Sequence, residues 1–158
     1  MTPRIVNLEE KRLIGQNITM SLIDNKTGFL WRQFAPRIKE ILNRVSEDKI
    51  SMQVYPPMYH NQFHPKQEFD KWATVEVHDF KNIPDGMKSF TLQKGLYAVF
   101  TYKGSSADGK VFEYIFSEWM PTSKFKIDDR PHFEVLGKKY RNDDKDSEEE
   151  IWIPITTS

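Results

Sequence analysis

The segments RPHFEVLG, residues 130–137, and EEEIWIPI, residues 148–155, decide the fold. Side chains in both alternate with a period of two, which is typical of a β-strand. Ile151, Ile153 and Ile155 share one face of the last strand, so Trp152 lies on the other. Glu134 places a carboxylate in the preceding strand, where Val or Ile would fold more safely.

The remaining elements follow from these two strands by periodicity. Apolar runs predict strands at 9–23, 50–57, 71–80, 94–104, 132–137 and 150–155, helices at 29–45 and 110–120, a turn at 105–109 and a hydrophilic hairpin loop at 138–150. The order strand–helix–strand–strand therefore occurs twice, in pseudo-repeats of about residues 1–80 and 81–158. We expect one α+β domain over residues 1–158, with an antiparallel sheet, two helices on one face and an aromatic cleft on the other.

Two residues modify this pattern. Gly15 lies inside the first strand and indicates a bulge. Pro36 lies inside the first helical pattern and predicts a kink or the true start of that helix.

The long segment 58–70 has no period and is predicted to be a loop, and loops of this length tend to be functional.

Composition narrows the function. The chain has 23 Lys plus Arg and 23 Asp plus Glu, which argues against direct nucleic-acid binding. It contains no cysteine and no apolar run long enough for a membrane span, so we expect a cytoplasmic protein. Aromatic residues make up 13% of the chain. Those rings either fill a core or line a ligand cavity.

Strand alternation assigns the candidate cleft residues. If the three isoleucines face the helices, Phe133 and Val135 face inward with them, and Glu134 and Leu136 face outward with Trp152. Further rings on the open face are Tyr55 and Trp72 in the first half and Tyr97 in the central strand. A carboxylate among rings favours a flat cation, because the cation supplies the missing charge while the rings contact its faces. The alternative is an exposed Glu134, or one paired with Lys138 or Arg130.

The second half resembles a known family. The segments EWMPTS (118–123), DDRPHFEVL (128–136) and EEIWIPI (149–155), with NIPDGM (82–87) and GLYAVFTYKG (95–104), resemble the GyrI-like small-molecule-binding domain, the effector-binding domain of bacterial transcription activators. The resemblance implies a small-molecule ligand, with Glu134 contacting cations and Leu136 and Trp152 lining the pocket; Trp119 matches the helix end. Many relatives carry an N-terminal helix-turn-helix domain. Here the first residues enter a strand directly, so we expect a stand-alone form.

Two alternatives stay open. The first is a hydrolase of strained electrophiles, with Glu134 as general acid or base and Tyr97 assisting. The second is a protein-interaction module of the gyrase-inhibitor type, which would use the acidic segment 142–150. We expect no cofactor, and no metal site at His60 and His64, because Pro56, Pro57 and Pro65 disfavour a helix there.

Overall fold

The computed structural model describes residues 1–105, 109–141 and 144–157. The strands are β1 Arg4–Leu8, β2 Lys11–Met20, β3 Lys49–Val54, β4 Phe69–Val77, β5 Lys88–Leu92, β6 Gly95–Lys103, β7 Phe125–Ile127, β8 His132–Leu136 and β9 Glu148–Thr157. The helices are α1 Thr27–Phe34, which continues as a 3₁₀ helix Ala35–Glu40, and α2 Lys110–Tyr114, which continues as a π-helical turn Ile115–Trp119 and α3 Met120–Thr122. No helix in the described ranges is long and apolar enough to cross a membrane. The predicted turn at 105–109 and acidic segment at 142–150 include residues 106–108 and 142–143, which lie outside the described residues.

The sheet shows the predicted duplication. Its strands run antiparallel in the order β1-β6-β9-β8-β3-β4-β2-β5, with β7 paired to β9. The unit β2-α1-β3-β4 lies on one side of the β3–β8 junction, and β6-α2-β8-β9 lies on the other. Each half also places a strand on the other's edge, because β1 pairs with β6 and β5 pairs with β2. The α+β antiparallel fold with two helices is therefore confirmed, and β1, β5 and β7 are strands that the sequence pattern missed.

The first helix is shorter than predicted. It ends at Phe34 and gives way to the 3₁₀ helix at Ala35. Pro36 explains the change, because it has no N–H for an α-helical bond and its ring crowds the preceding turn. Leu42, which lies inside the predicted helix 29–45, follows the end of the 3₁₀ helix and is 86% exposed.

Gly15 does not form a bulge, and that prediction was wrong. The pairing of β2 with β4 runs without interruption from Arg12 to Met20. A Cβ at Gly15 would collide with the backbone carbonyl oxygen of Ala73. Glycine is therefore required by the close approach of two backbones rather than by an extra residue.

Both faces of the sheet are packed. On the helix face, α1 covers a cluster from β2 and β4, and the second helical segment, 110–122, covers a cluster from β6 and β9 that includes Ile151, Ile153 and Ile155. The isoleucines thus face the helices as predicted. On the opposite face, the edge residues Leu8 and Leu92 belong to one buried cluster, so the sheet curls around its own side chains.

The prediction that Glu134 and Leu136 share a face with Trp152, opposite the helices, was wrong. Residues directly opposite each other on paired strands share a face. The register pairs Phe133 with Trp152, and both rings lie in the core of the curled face. Glu134 pairs with Ile151 and therefore lies on the helix face.

Candidate functional site

Glu134 lies on the helix face where the two halves meet. Its partners across the sheet are Ile151 on β9 and Ser51 on β3. Gln53, also on β3, donates a hydrogen bond from Nε2 to Glu134 Oε1 at 3.4 Å. Neither helix-face cluster includes a residue of β3 or β8. The acid therefore stands in a gap between the areas that the two helices cover.

The segment before β8 fixes the position of this acid. Arg130 forms an ion pair through Nε with Asp128 Oδ2 at 2.5 Å. Its Nη2 donates to the carbonyl oxygens of Leu96 at 2.7 Å and Ile155 at 3.0 Å. These contacts join the start of β8 to β6 and β9. Arg130, in the segment DDRP (128–131), thus fixes the chain just before the strand that carries Glu134.

Four aromatic side chains form a ring cluster above the acid: Tyr55, His60, Phe116 and His132. The His60 ring stacks on Phe116, at 5.4 Å and 21°, and on His132, at 4.9 Å and 29°. Phe116 and His132 are also in contact, at 6.2 Å, so the three rings form a triangle. Tyr55 contacts the two histidine rings edge-on at 4.8 and 4.9 Å. Because His60 comes from the loop between β3 and β4, that loop is packed against the second helical segment and the start of β8.

The ring cluster separates two cavities. The inner one, beside Glu134, has a volume of about 20 Å³, enough for about one water molecule. The outer one, between the loop and residues 127–132, has a volume of about 220 Å³. Tyr55 and His132 line both cavities. These two side chains therefore form the boundary between the acid and the outer cavity, which His60 also lines.

A second carboxyl and an amine lie near Glu134. Glu149 on β9 and Lys71 on β4 are each 5% exposed. Burial, the charge of Glu134 and a hydrogen bond to it raise the pKa of Glu149 to about 9. Burial lowers the pKa of Lys71, while the charges of Glu134 and Glu149 raise it. Glu149 is therefore protonated at neutral pH.

The ring cluster itself is neutral. Burial lowers the pKa of His60. Burial and the charges of His60 and Arg130 hold the pKa of His132 well below its usual range. Burial, followed by the charges of Tyr59 and Glu134, raises the pKa of Tyr55. Charge near the inner cavity is thus concentrated on the sheet, beneath neutral rings.

The structure brings together only some of the predicted site residues. Glu134 and Tyr55 line the inner cavity, and Trp152 borders it while its ring stacks on Phe133 at 5.1 Å. Leu136 lies buried on the strand that carries Glu134, with which it shares a face.

The other three predicted rings lie elsewhere. Trp72 and Tyr97 belong to the buried core of the curled face. Tyr97 Oη donates to the carbonyl oxygen of Pro131 at 2.8 Å, so Tyr97 cannot assist Glu134, which lies on the other side of the sheet. Trp119 packs edge-on against Phe100 at 5.2 Å, under the second helical segment.

Sequence reasoning missed several residues around the acid: Gln53, Lys71, His60, Phe116, His132 and Glu149. One signal was available for Lys71, which has the same strand parity as Ala73 and Val75 and therefore shares their buried face. Glu149 was placed in an acidic loop, but β9 begins at Glu148 and Glu149 is buried within it.

The fold and this arrangement define an effector-binding domain of the GyrI-like type. Residues 4–155 match the family model of Cass2, the integron-associated effector binding proteins, and the chain belongs to that family. It is also similar to the transcriptional regulator BrlR of Pseudomonas aeruginosa, with 27% identity over 157 residues covering 98% of this chain. The chain spans 56% of the length of that relative.

Two solved structures share the fold. SAV2435 bound to tetraphenylphosphonium superposes with a TM-score of 0.76 at 16% identity, over 99% of this chain and 94% of that one. The integron cassette protein VCH_CASS2 from the mobile metagenome of Vibrio cholerae superposes with a TM-score of 0.68 at 14% identity, over 99% of this chain and 97% of that one.

Proposed function

We propose that this chain binds an amphipathic, cationic small molecule on the helix face of the sheet, with Glu134 as the acidic contact. The observation that carries the proposal is the position of Glu134 in a cavity lined by Tyr55, Phe116 and His132. Aromatic faces attract cations by about 0.5–2 kcal/mol per contact. A carboxylate that has lost hydration gains more free energy than this when a cation takes the place of the missing water.

Membership of the effector-binding family supports a small-molecule ligand. The complex of SAV2435 with tetraphenylphosphonium supports a lipophilic cation, because the two chains share a fold over almost their full lengths. Such a protein would act as a sensor or sequestering module in the cytoplasm, without direct contact to nucleic acid.

Binding requires the loop between β3 and β4 to move. The inner cavity of about 20 Å³ and the outer one of about 220 Å³ are each smaller than the range of about 300–1,000 Å³ for drug-sized ligands. A flat ligand ring takes the place of His60 against Phe116 and His132, the two rings on which His60 stacks. A ligand that reaches from the outer cavity to Glu134 also displaces Tyr55 or His132, which line both cavities.

Isothermal titration calorimetry with tetraphenylphosphonium tests the proposal on wild type, Glu134→Gln and Glu148→Gln. Glu148 is a matched control, because it lies on β9 with its carboxylate paired to Lys139 at 3.2 Å at the surface. Loss of a charged contact of more than about 1.4 kcal/mol predicts at least tenfold weaker binding in Glu134→Gln and unchanged binding in Glu148→Gln. Equal binding by Glu134→Gln would refute the role of Glu134, and the proposal fails if wild type binds neither tetraphenylphosphonium nor a protonated aromatic amine.

A further inference from the structure

The polar side chains Gln53, Glu134 and Glu149, here called the floor of the site, include two acceptor oxygens that lack a donor among the described residues. Gln53 uses its amide nitrogen toward Glu134, and its Oε1 is buried with no partner in the described part of the chain. This amide orientation is the favourable one, since the reverse would place two oxygens together. Glu149 Oε2 is also buried without a donor among the described residues. Two acceptor oxygens beside the acid thus lack an N–H or O–H.

Lys71 does not satisfy these acceptors. It is 5% exposed, and none of the ion pairs found within 4.0 Å among the described residues includes it. Its charge nevertheless acts on Glu134 and Glu149. Lys71 therefore acts as an internal counter-charge to the acids at a distance, and it leaves their oxygens without direct hydrogen bonds.

A cation without hydrogens on its charged atom would leave this floor unsatisfied. A quaternary ammonium or phosphonium group supplies charge but no donor, so the oxygens of Gln53 and Glu149 would stay buried and unpaired beneath it. Buried acceptors without partners are costly, and hydrogen bonds to charged groups are about twice as strong as neutral ones. The floor is therefore complementary to a cation that carries several N–H groups.

We propose that this cleft selects organic cations with N–H donors, namely protonated amines, amidines or guanidines, and that Glu149 and Gln53 share these donors with Glu134. The inference rests on the proposed function of the same cleft and names its ligand class. Before a ligand binds, Glu149 is protonated. When the cation binds, its N–H groups replace the proton of Glu149, which leaves to solvent.

The test is a series of three cations with one aromatic body: biphenyl-4-ylmethylammonium, its N,N-dimethyl derivative and its N,N,N-trimethyl derivative. They carry three, one and no N–H groups and the same charge. Calorimetric titration at about pH 7 is expected to show affinity falling along the series, with the first member at least tenfold tighter than the last. In Glu149→Gln this difference is expected to fall below about threefold, whereas Glu148→Gln retains it.

Equal or tighter binding of the trimethyl derivative by wild type would overturn the inference, and this arm needs no variant to fold. A preference that persists unchanged in Glu149→Gln would overturn the role of Glu149. Failure of the proposed function looks different. In that case neither the three amines nor tetraphenylphosphonium binds in a way that depends on Glu134.

Discussion

Replacing Glu149 by glutamine is expected to stabilise the folded protein increasingly as the pH rises. The pKa of Glu149 is raised from 4.5 to about 9, so the folded chain holds this proton more tightly than the unfolded chain. A raised pKa gives stability that is complete below about pH 4.5 and is lost as the pH rises toward about 9. Glutamine resembles the protonated acid and has no proton to lose.

The size of the effect follows from the width of this pH window. Each unit of separation between the folded and unfolded pKa values corresponds to about 1.4 kcal/mol. Between about pH 5 and pH 8 the wild type is expected to lose about 4 kcal/mol through Glu149, because nearly this whole interval lies inside the window. The amide introduced by Glu149→Gln also keeps a donor for Glu134, so the substitution leaves no new unpaired charge.

Urea unfolding at about pH 5, 6, 7 and 8 measures the effect as the difference in unfolding free energy between variant and wild type. The contributions of the other titrating groups cancel in this difference, because both proteins contain them. It is expected to grow by up to about 4 kcal/mol across the series for Glu149→Gln. Glu148→Gln, at the surface, is expected to stay within about 0.5 kcal/mol of wild type throughout. A difference for Glu149→Gln that is constant with pH would refute the raised pKa of Glu149.

Two further substitutions test other parts of the site. Arg130→Met removes the ion pair to Asp128 and the donors to two carbonyl oxygens. It is expected to lower the free energy of unfolding, measured in urea, by about 3 kcal/mol. A loss below about 1 kcal/mol would contradict the structural role of Arg130. Lys71→Met removes the amine near Glu134. It is expected to tighten the binding of tetraphenylphosphonium about tenfold, as measured by calorimetry. Unchanged or weaker binding would contradict the role of Lys71 as a counter-charge.

The sequence predicted the strands and helices well where one period dominated. The strands β3, β4, β8 and β9 follow from alternation alone. The strands β1, β5 and β7 were missed because a strand of three to five residues at an edge gives too few alternations to read. The first helix was overestimated because an apolar stripe continued past Pro36 while the backbone changed to a 3₁₀ helix.

The face of the sheet on which Glu134 lies could not be predicted from the sequence. Alternation fixes which residues of one strand share a face, but relating two strands needs their register. Phe133 and Val135 were assigned to the helix side because they are apolar. That reasoning fails here because the curled face is as apolar as the helix face. Only the pairing of Phe133 with Trp152 shows that Glu134 lies with the isoleucines.

The site residues divide along the same line. Glu134 was found through strand alternation and through the family motif, and Tyr55 through strand alternation. Lys71 was missed because charged residues in strands are usually exposed. Glu149 was missed because it was assigned to the acidic loop. His60 and Phe116 reach the site through the packing of a loop and a helix, which no local pattern records.

The duplicated fold accounts for the position of the cleft. Each helix covers the two outer strands of its own half, β2 and β4 or β6 and β9, and the inner strands β3 and β8 meet between these areas. A polar side chain is less costly on a sheet where no helix packs directly on it, because it keeps more of its hydration. Ser51, Gln53 and Glu134 occupy this strip. The joining of two halves thus creates a gap that neither half contains alone, and side chains from both halves supply its charge.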